Sequence, residues 1–334
     1  MKVSVIVPVR DEEQSIRELL ESLLNQTHPP DEIVITDGGS VDATAQIIEQ
    51  YINDGAPVRL LRAGPALPGR GRNLGAAAAK FDWLAFTDAG IRLDRDWLEE
   101  LITRAEQDKT IDVVYGAWEP VTDTFFKQCA AIAYVPPPVV MSDGAVVRPR
   151  SIASALLRRE AWSAVDGFPE DLRSAEDLLF MDRLDAAGYR AAFATQAQVH
   201  WNVRPTLGST FKRFVIYSRN NIRAGLWRHW QARILTRYTL LFVLMIVALF
   251  LGPRWVVVPI AAWLLMLAAR AFVSLRRNRE CSPASFFRNI FRACLIMCVL
   301  AALDAAAIAG SIQWLLLDAF RGQRKRAVEA GNGV

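Results

Sequence analysis

The first 110 residues alternate between short apolar runs and helical stretches, and this alternation restricts the fold more than any other feature. Residues 3–9 form a continuous apolar run, and the next stretch carries Ile16, Leu19, Leu20 and Leu23 at helical spacing. The same order repeats in "DEIVITDGGS", "VRLLRA" and "DWLAFTDAG", each followed by a helical stretch. The pattern predicts an α/β fold with a doubly wound, mostly parallel sheet, whose ligands bind beyond the carboxyl ends of the strands.

The pattern becomes less regular between residues 113 and 200. "DVVYGAWEP", "RSIASALLRREAW" and "RAAFATQAQVHW" predict strands of a mixed part of the sheet. "YVPPPVVMSDGAVVRP" predicts a long Pro-rich loop, and "GFPEDLRSAEDLLFMDRLDAAGY" predicts a turn, a loop and a helix.

The two halves of the chain differ sharply in charge. Residues 201–334 contain 19 Lys or Arg and 4 Asp or Glu, whereas residues 1–200 contain 20 and 31. The mean hydropathy of +0.16 is high for a soluble protein. We therefore expect a soluble domain at 1–204 and a basic, apolar region beyond it that binds a membrane, while nucleic acid is not an expected partner.

The beginning of the chain does not resemble a secretory signal. The first apolar run has seven residues, contains Pro8, and is followed at once by "RDEE". The first half is therefore expected to stay in the cytoplasm, at the cytoplasmic (inner) membrane. The four cysteines have neither disulfide nor zinc spacing, and we expect buried, reduced thiols.

The second half divides into an amphipathic segment and apolar segments. Residues 205–232 place one apolar stripe at spacings of three and four, with basic residues off it, which predicts a helix in the headgroup plane. The region 233–320 holds apolar runs at 238–252, 255–269 and 293–317. The first two are short for a span of about twenty residues. We therefore expect two or three membrane segments.

Basic clusters conflict with a simple topology for the third apolar run. "RRNRE" precedes this run, and "RGQRKR" lies in a basic tail at 321–334. The positive-inside rule places both clusters in the cytoplasm, which one full span between them cannot satisfy. Either the third segment re-enters or lies shallow, or the rule fails here.

Asp37 and Asp88 each lie at the predicted end of a strand, where ligands bind. A short acid before glycines can accept hydrogen bonds from a nucleobase or ribose, or it can stabilise its own turn. Glu176 and Asp177 lie where a loop enters a helix, so they either cap the helix or provide a general base. His200, at another predicted strand end, could complete a metal site with Asp88 or be structural.

The segment "GRGRNLG" at 69–75 is similar to the glycine-rich turn of dinucleotide-binding folds. It follows the third strand rather than the first, and its spacing differs by one residue, which argues against an oxidoreductase. Its cations, Arg70 and Arg72, suit a diphosphate beside a helix N-terminus, or they are solvated surface arginines.

Several motifs together resemble one known family. "VSVIVPVRDEEQSIRELLESL", "DEIVITDGGSVDAT", "GRGRNLGAAAA", "WLAFTDAG" and "GFPEDLRSAEDLLFMDRL" occur in the order found in inverting family 2 glycosyltransferases of the Rossmann-like GT-A fold. The resemblance implies that Asp37 contacts the base of a nucleotide sugar, that Asp88 holds a divalent metal (Mg²⁺ or Mn²⁺) on the diphosphate, and that Asp177 is the general base beside Glu176. The other donor-binding residues that it implies are Pro8, Arg10, Glu12, Arg70, Arg72, Asn73 and Ala89.

The chain departs from the family pattern at two places. The usual Asp-x-Asp reads Asp88-Ala89-Gly90, so Asp88 would coordinate alone, through water or with His200, and Arg70 or Arg72 would compensate the missing charge. Processive synthases carry Gln-x-x-Arg-Trp, but "WQARI" at 230–234 lacks the Trp, and the membrane region is small for a polymer channel. Transfer of one sugar per acceptor is therefore expected.

These inferences predict an inverting glycosyltransferase. It would move one sugar from a UDP- or GDP-linked donor to a lipid or lipid-linked acceptor at the cytoplasmic membrane face. One alternative acts on polyprenyl phosphate itself. Alternatives of other classes are a non-catalytic, membrane-anchored module that binds a nucleotide sugar, and a nucleotidyltransferase on a similar sheet.

Overall fold

The computed structural model describes residues 1–140, 144, 146–228 and 231–319, and it divides the chain into two compact units. The first unit comprises Met1–Val121 and Pro138–Asn202, and the second comprises Thr122–Pro137 and the chain from Val203 onward. The sequence predicted one boundary near residue 204. The structure adds 122–137 to the second unit, because that segment packs on a helix of this unit. The predicted basic tail at 321–334 lies outside the described residues.

Eight strands of the first unit form one sheet in the order β3-β2-β1-β4-β9-β6-β10-β5. Their bounds are Val3–Val9 (β1), Glu32–Asp37 (β2), Val58–Arg62 (β3), Trp83–Phe86 (β4), Ile91–Leu93 (β5), Val113–Val121 (β6), Ala155–Arg158 (β9) and Ala191–Asn202 (β10). A separate small hairpin joins Val139–Val140 (β7) to Val146–Val147 (β8).

The first half of the sheet is parallel, and the second half is mixed. β1 lies between β2 and β4, parallel to both, and β2 is parallel to β3. β9 is antiparallel to β4 and β6, whereas β10 is parallel to β6 and antiparallel to β5. The predicted mostly parallel sheet with a mixed part is confirmed. The carboxyl ends of β1, β2 and β4 therefore meet at one edge.

Helices cover both faces of the sheet. Ile16–Leu24 (α1), Thr44–Asn53 (α2) and Trp97–Gln107 (α4) pack on one face, where side chains such as Leu20 and Trp97 are fully buried. Pro68–Ala78 (α3), Arg159–Ala164 (α6) and Glu176–Ala186 (α7) pack on the other, around Phe86 and Phe180. The buried strands are apolar on both faces because each face is covered by helices.

The sequence did not predict β5, β7, β8, α6 or Phe125–Tyr134 (α5), and α6 begins at Arg159, inside the predicted strand "RSIASALLRREAW". β5 ends at Leu93, the residue at which the fourth helix was expected to begin, and β7 with β8 lies in the predicted loop. α5 is a helix in a stretch without regular period. It buries Cys129 and Ile132 against residues more than 130 positions away, such as Leu267 and Ile296, so no local pattern indicated it.

The second unit consists of α5, Leu207–Arg223 (α8), Gln231–Leu251 (α9), Val257–Arg277 (α10) and Phe286–Trp314 (α11). Three helical stretches in the described part are long and apolar enough to cross a membrane: Gln231–Leu251, Pro253–Arg277 and Phe286–Ala319. The first two exceed the apolar runs 238–252 and 255–269, because the helical backbone continues through polar residues at their ends.

α8 begins with a capping box, in which the Thr206 hydroxyl accepts from the Ser209 backbone N–H and Ser209 returns a bond to Thr206. Part of the predicted apolar stripe is buried against α11. Ser218 Oγ donates to Ala307 O over 2.9 Å, and a Cβ at Gly310 would lie 2.6 Å from Val215 O. The location of α8 in the headgroup plane stays a prediction.

A polar cluster lies where α9, α10 and α11 meet. Asp304 of α11 is fully buried and accepts from Tyr238 Oη at 3.1 Å and from both terminal nitrogens of Arg270. Trp263 Nε1 donates to Tyr238 Oη over 3.0 Å. The membrane-region carboxylate is thus paired, as a charge in an apolar environment requires.

The prediction of buried thiols was wrong for three of the four cysteines. All four are free, but only Cys129 is buried. Cys281 lies between α10 and α11, and Cys294 and Cys298 lie on an exposed side of α11. These two belong to an apolar run, but the run has one face that no protein element covers.

Candidate functional site

The candidate site is built around Arg72, which α3 carries between two carboxylates. Arg72 Nη1 donates to Glu176 Oε1 over 2.8 Å, and Nη2 donates to Asp88 Oδ1 over 2.6 Å. The side chains of Arg72 and Glu176 are 4% and 5% exposed, so this ion pair is shielded from solvent, whereas Asp88 is 35% exposed. Burial alone would lower the pKa of Arg72, but the charges of Asp88 and Glu176 outweigh it and raise that pKa.

Glycines allow α3 to approach its neighbours this closely. A Cβ at Gly69 would lie 2.1 Å from Pro169 O, and one at Gly71 would lie 3.0 Å from Pro8 Cβ. "GRGRNLG" is thus a helix segment whose glycines allow close packing against other parts of the chain, rather than a phosphate-binding turn. Close approach sets the position from which Arg72 reaches across to α7.

The start of α7 has an unusual backbone. Ala175, which precedes the helix, is buried and has φ of 71°. A left-handed conformation costs an alanine roughly 1–2 kcal/mol, so the surrounding contacts hold this residue in place. Strain of this kind clusters at functional sites, and here it orients Glu176 and Asp177. This strain could not be predicted from the sequence, because neither glycine nor asparagine occupies the position.

Asp177 lies next to the ion pair and is partly buried. Burial raises the pKa of Asp177 above its ordinary value, the charge of Arg72 opposes this effect, and the charge of Asp88 adds to it. Its Oδ1 accepts from the Leu178 backbone N–H over 2.9 Å. A carboxylate with a raised pKa is better matched to proton abstraction near neutral pH than an ordinary aspartate.

Three buried polar atoms around this ion pair have no hydrogen-bond partner among the described residues. They are Arg72 Nε, Glu176 Oε2 and Ser174 Oγ. Buried polar groups are nearly always satisfied by protein, water or ligand. Their clustering at the carboxyl edge of the sheet marks this edge as a place for a polar ligand.

Asp37 is buried at the end of β2, and its Oδ1 accepts from the Ser40 backbone N–H at 2.9 Å and from Ser40 Oγ at 2.7 Å. These are the hydrogen bonds expected if Asp37 stabilises its own turn. They also fix the carboxylate in one orientation, which a base-contacting acid requires. Both expectations for Asp37 therefore remain compatible with its geometry.

Four further donor-binding candidates lie around the ends of β1 and β4. Pro8 pairs with Thr36 in the parallel ladder. Arg10 is exposed, with its Nε 3.6 Å from Asp11 Oδ2. Glu12 Oε2 accepts from Ser15 Oγ at 2.5 Å, next to the start of α1. Ala89 is partly buried against the α1 face of the sheet.

The remaining two candidates, both on α3, behave differently from each other. Arg70 is exposed, as a solvated or ligand-binding cation would be. Asn73 is engaged with the loop before α7: its Nδ2 donates to Phe168 O at 2.9 Å, and its Oδ1 accepts from the Phe168 backbone N–H at 2.9 Å. This geometry makes Asn73 a residue that positions the loop. Phe168 itself, whose ring lies 5.4 Å from the Arg72 guanidinium, was not predicted, although it belongs to the "GFPE" motif.

The two predicted metal ligands are each held by other protein groups. Asp88 Oδ1 is bonded to Arg72, and His200 Nε2 lies 2.9 Å from Asp94 Oδ1. A carboxylate on one ring nitrogen of a histidine is common at metal sites and would leave Nδ1 for the metal. Within the described residues no group of three His, Cys, Asp or Glu could hold a metal ion. The Asp88–His200 metal pair stays a prediction.

Gly90 has space where the family's second Asp would project. Its φ is 75°, and a Cβ there would lie 3.7 Å from Glu12 Oε2 and 4.0 Å from Ser15 Oγ. The Glu12 carboxylate therefore lies close to the place where the second aspartate of the family motif would project.

Comparisons with known proteins agree with this architecture. The family model of glycosyl transferase family 2 matches residues 4–137, and that of glycosyl transferase family group 2 matches residues 105–274, half of the chain. The poly(ribitol-phosphate) beta-N-acetylglucosaminyltransferase TarS of Staphylococcus aureus is 31% identical over 189 residues, which are 54% of this chain and 32% of TarS. The chain thus spans about a third of that relative.

Two further proteins extend the comparison. The succinoglycan biosynthesis protein ExoA of Rhizobium meliloti is 27% identical over 229 residues, covering 66% of this chain and 68% of ExoA. The structure of the mannosyltransferase PcManGT from Pyrobaculum calidifontis, in complex with GDP-Man and Mn²⁺, superposes with a TM-score of 0.59 at 20% identity. It covers 94% of this chain and 87% of that one, and it shows that the fold is shared.

Proposed function

We propose a reaction and a place of action for this chain, which belongs to glycosyl transferase family 2 and is a glycosyltransferase of the GT-A fold. The reaction is inverting transfer of one sugar from a UDP- or GDP-linked donor. The acceptor is a lipid or lipid-linked molecule at the cytoplasmic face of the cytoplasmic membrane. Three apolar helices support an acceptor in the bilayer. The names of TarS and ExoA refer to a polymer acceptor and a polymer product, which supports a polymer or its precursor.

Asp177 is the general base of this proposal, and its raised pKa beside the Arg72 ion pair is the observation that carries it. The acceptor hydroxyl oxygen attacks the anomeric carbon from the face opposite the diphosphate. Its proton passes to the Asp177 carboxylate as the new carbon–oxygen bond forms. The bond from the anomeric carbon to the diphosphate breaks, and the nucleoside diphosphate leaves with the electron pair. Attack from the opposite face inverts the anomeric configuration.

The other residues bind and orient in this proposal. Asp37 receives hydrogen bonds from the base or ribose, and the exposed cation of Arg70 attracts the diphosphate. Arg72 has a different part, because its charge is already shared between Asp88 and Glu176. It holds the β4 end and the α7 start at a fixed separation, so that donor and base meet in one geometry.

A divalent metal would stabilise the developing charge on the diphosphate, and the structure of PcManGT contains Mn²⁺ together with GDP-Man. The residues of this chain do not by themselves complete such a site. Asp88 shares one oxygen with Arg72, Gly90 offers no ligand, and the described residues include no three-ligand group. The proposed reaction is therefore written without a metal, and turnover in the presence of Mn²⁺, Mg²⁺ or EDTA measures whether the enzyme requires one.

The experiment is donor turnover by the full chain in lipid nanodiscs. UDP- and GDP-sugars would be supplied together with total membrane lipid, in the presence of Mn²⁺, Mg²⁺ or EDTA. The release of free nucleoside diphosphate would be measured. We expect release from one donor, and its loss in Asp177→Asn with donor binding by calorimetry unchanged. Asp182→Asn is the matched control, since Asp182 lies on the same helix but pairs with Arg150 at the surface.

Two outcomes would contradict the proposal. Donor binding without release, even with total lipid, would favour the non-catalytic module. Full release by Asp177→Asn would remove Asp177 as the base and favour an acceptor that is already ionised, such as polyprenyl phosphate. In that case Asp177 would position the acceptor or touch the sugar, and the product would be acid-labile.

A further inference from the structure

The third apolar stretch differs from the first two in how the protein surrounds it. In the most apolar windows of the first two stretches, which contain α9 and α10, 11% and 17% of residues are buried, compared with 44% in the stretch that contains α11. Most of the large apolar side chains from Leu240 to Leu265 are exposed in the α9–α10 hairpin, including Phe250 and Trp255 at its tip. That surface needs lipid around it. α11 instead has one exposed apolar stripe, made of Phe287, Phe291, Cys294, Cys298, Ala305 and Ile312, and the exposed polar residues Arg288 and Gln313 lie near its two ends.

The polar cluster fixes where α11 meets the hairpin. Tyr238 lies seven residues from the start of α9, and Arg270 lies seven residues from the end of α10. Both therefore lie near the open base of the hairpin, about 10 Å along each helix from its end. Asp304, which both contact, lies near the middle of the stretch Phe286–Ala319. The middle of the third stretch thus meets the base of the hairpin rather than its midpoint.

A spanning α11 is incompatible with this contact. From Asp304, α11 continues for about 27 Å towards Phe286, and the hairpin continues for about 20 Å from the cluster to its tip. If α11 ran along the hairpin, one of its halves would cover the hairpin's tip. The tip is uncovered, with Phe250 at 88% and Val257 at 64% exposure. α11 therefore crosses the base of the hairpin.

Both ends of α11 are held by α5 and α8, two helices that short linkers connect to strands of the first unit. Near its start, Arg288 Nη2 donates to Gln128 Oε1 of α5 over 3.1 Å. Just beyond its end, Asp318 accepts from Arg219 of α8 at 2.7 and 2.9 Å. α5 is joined to β6 and β7 by linkers of three and four residues, and α8 begins five residues after β10. Such short connections keep α5 and α8 on the same side of a bilayer as the first unit.

We propose that α11 does not cross the membrane but lies in its surface, on the side of the first unit, with its apolar stripe in the acyl boundary. The occupant of the stripe is the lipid bilayer, because the stripe adjoins the hairpin whose exposed surface already requires lipid. Only α9 and α10 span. Both basic clusters, "RRNRE" and "RGQRKR", then fall on one side, which removes their conflict with the positive-inside rule.

The first test is the location of the two chain ends. Full-length protein would carry a fluorescent protein at either end in a bacterial host, because this reporter folds in the cytoplasm and stays dark when exported. Two spans predict fluorescence from both fusions. A fluorescent N-terminal fusion with a dark C-terminal fusion, both at equal abundance on blots, would establish an odd number of spans and overturn the proposal.

The second test measures the depth of the stripe. Single spin labels would be placed at Cys294, Cys298, Phe287→Cys and Ile312→Cys in a background without other cysteines, and their accessibility to oxygen and to a polar nickel reagent compared in liposomes. An in-plane helix predicts one shallow depth at all four. A spanning or re-entrant helix predicts central labels about 15 Å deeper than the outer ones, since these are about 37 Å apart along the axis.

Labels on the hairpin calibrate this measurement. Leu244→Cys and Leu265→Cys are exposed positions of α9 and α10 and should report deep locations. Labels at Cys294 and Cys298 as deep as these two hairpin labels, with shallow labels at positions 287 and 312, would overturn the proposal, whatever the fluorescent fusions show. Neither test depends on glycosyl transfer, so its result stands apart from the proposed reaction.

Discussion

Arg72 and Glu176 form a buried ion pair, 2.8 Å between Nη1 and Oε1, that connects helices whose residues are 104 positions apart in the chain. The pair joins the motif "GRGRNLG" to the motif "RSAEDLLF", and through Asp88 it also reaches the end of β4. Two matching motifs of the family thus meet in one contact. The ion pair is consequently where the stability of the first unit and the proposed catalysis are expected to be coupled.

Removing the cation should be more damaging than removing the whole pair. Arg72→Met leaves Glu176 buried without a partner, and breaking a buried pair in this way costs about 3–5 kcal/mol. We expect Arg72→Met to lower the unfolding midpoint strongly, and the double variant Arg72→Met with Glu176→Leu to recover part of the loss. Guanidinium unfolding of both in detergent would measure this. A double variant less stable than Arg72→Met would contradict a dominant charge effect.

Asp177 should make activity depend on pH. The reaction needs the carboxylate, so turnover should fall as the pH drops through its pKa, which burial holds above the ordinary value near 3.8. Loss of a general base typically costs 10²- to 10⁴-fold. Asp177→Asn should therefore lower turnover by about that factor and remove the acidic limb, which a pH profile of turnover would measure. A limb unchanged in the variant would assign it to another group.

The same carboxylate should destabilise the fold at neutral pH. A raised pKa in the folded state means that folding favours the protonated form. Its contribution to stability is therefore fully present below the unfolded pKa, near 3.8, and is lost as the pH rises through the folded value. Asp177→Asn should be more heat-stable than the parent at pH 7, with the difference shrinking towards pH 4. Asp182→Asn, which removes a surface carboxylate, should show no such gain.

Much of the first unit was predictable from the sequence. Parallel strands that helices cover on both faces are apolar at nearly every position, so they are recognised as continuous apolar runs. β1 to β4 were therefore predictable, and so was the sheet edge at which Asp37 and Asp88 lie. It did not indicate α5, whose apolar side is covered by α11 some 160 residues later. Nor did it indicate the strain at Ala175, since an alanine carries no sign of a positive φ.

The role of Arg72 could be predicted only in part. Its position before a helix indicated a cation near a diphosphate, but its two partners are 16 and 104 residues away, and only folding brings them together. His200 illustrates the same limit. Its position at the end of a strand was expected, but its pairing with Asp94 depends on β5, a short strand that local pattern did not distinguish from a helix.

Restoring the family's second acid tests whether Gly90 limits metal binding. Gly90→Asp has room for its side chain, but the φ of 75° should cost roughly 1–2 kcal/mol, and the new carboxylate lies near Glu12. Gly90→Ala is the control, since it has the same backbone cost without the charge. We expect Mn²⁺ to raise the melting temperature of the Asp variant and not that of the Ala variant. Equal responses would place the metal away from position 90.

Close approach of α3 to the loop before α7 should be essential to the site. In Gly69→Ala the new methyl group would lie 2.1 Å from Pro169 O, so the helix or the loop must shift. Because the Arg72–Glu176 bond spans the same gap, we expect both stability and turnover to fall. Gly208→Ala, at the start of α8 with open space around it, should leave both unchanged. A stable Gly69→Ala variant with full turnover would show that the gap tolerates adjustment.

The contact between α8 and α11 should hold the second unit together. Gly310 lets α11 approach α8 so closely that a Cβ would lie 2.6 Å from both Val215 O and Ser218 Cβ. Gly310→Val would force the helices apart and break the bond from Ser218 Oγ to Ala307 O, and overpacking of this kind typically costs about 1–3 kcal/mol. We expect a lower melting temperature in nanodiscs. Ile312→Val, on the exposed side of α11, is the matched control and should melt like the parent, because the Ile312 side chain is 51% exposed and the change removes only one methylene group. A parent-like Gly310→Val would mean that α11 can leave α8 without loss, and that its contacts with α5, α9 and α10 keep it in place.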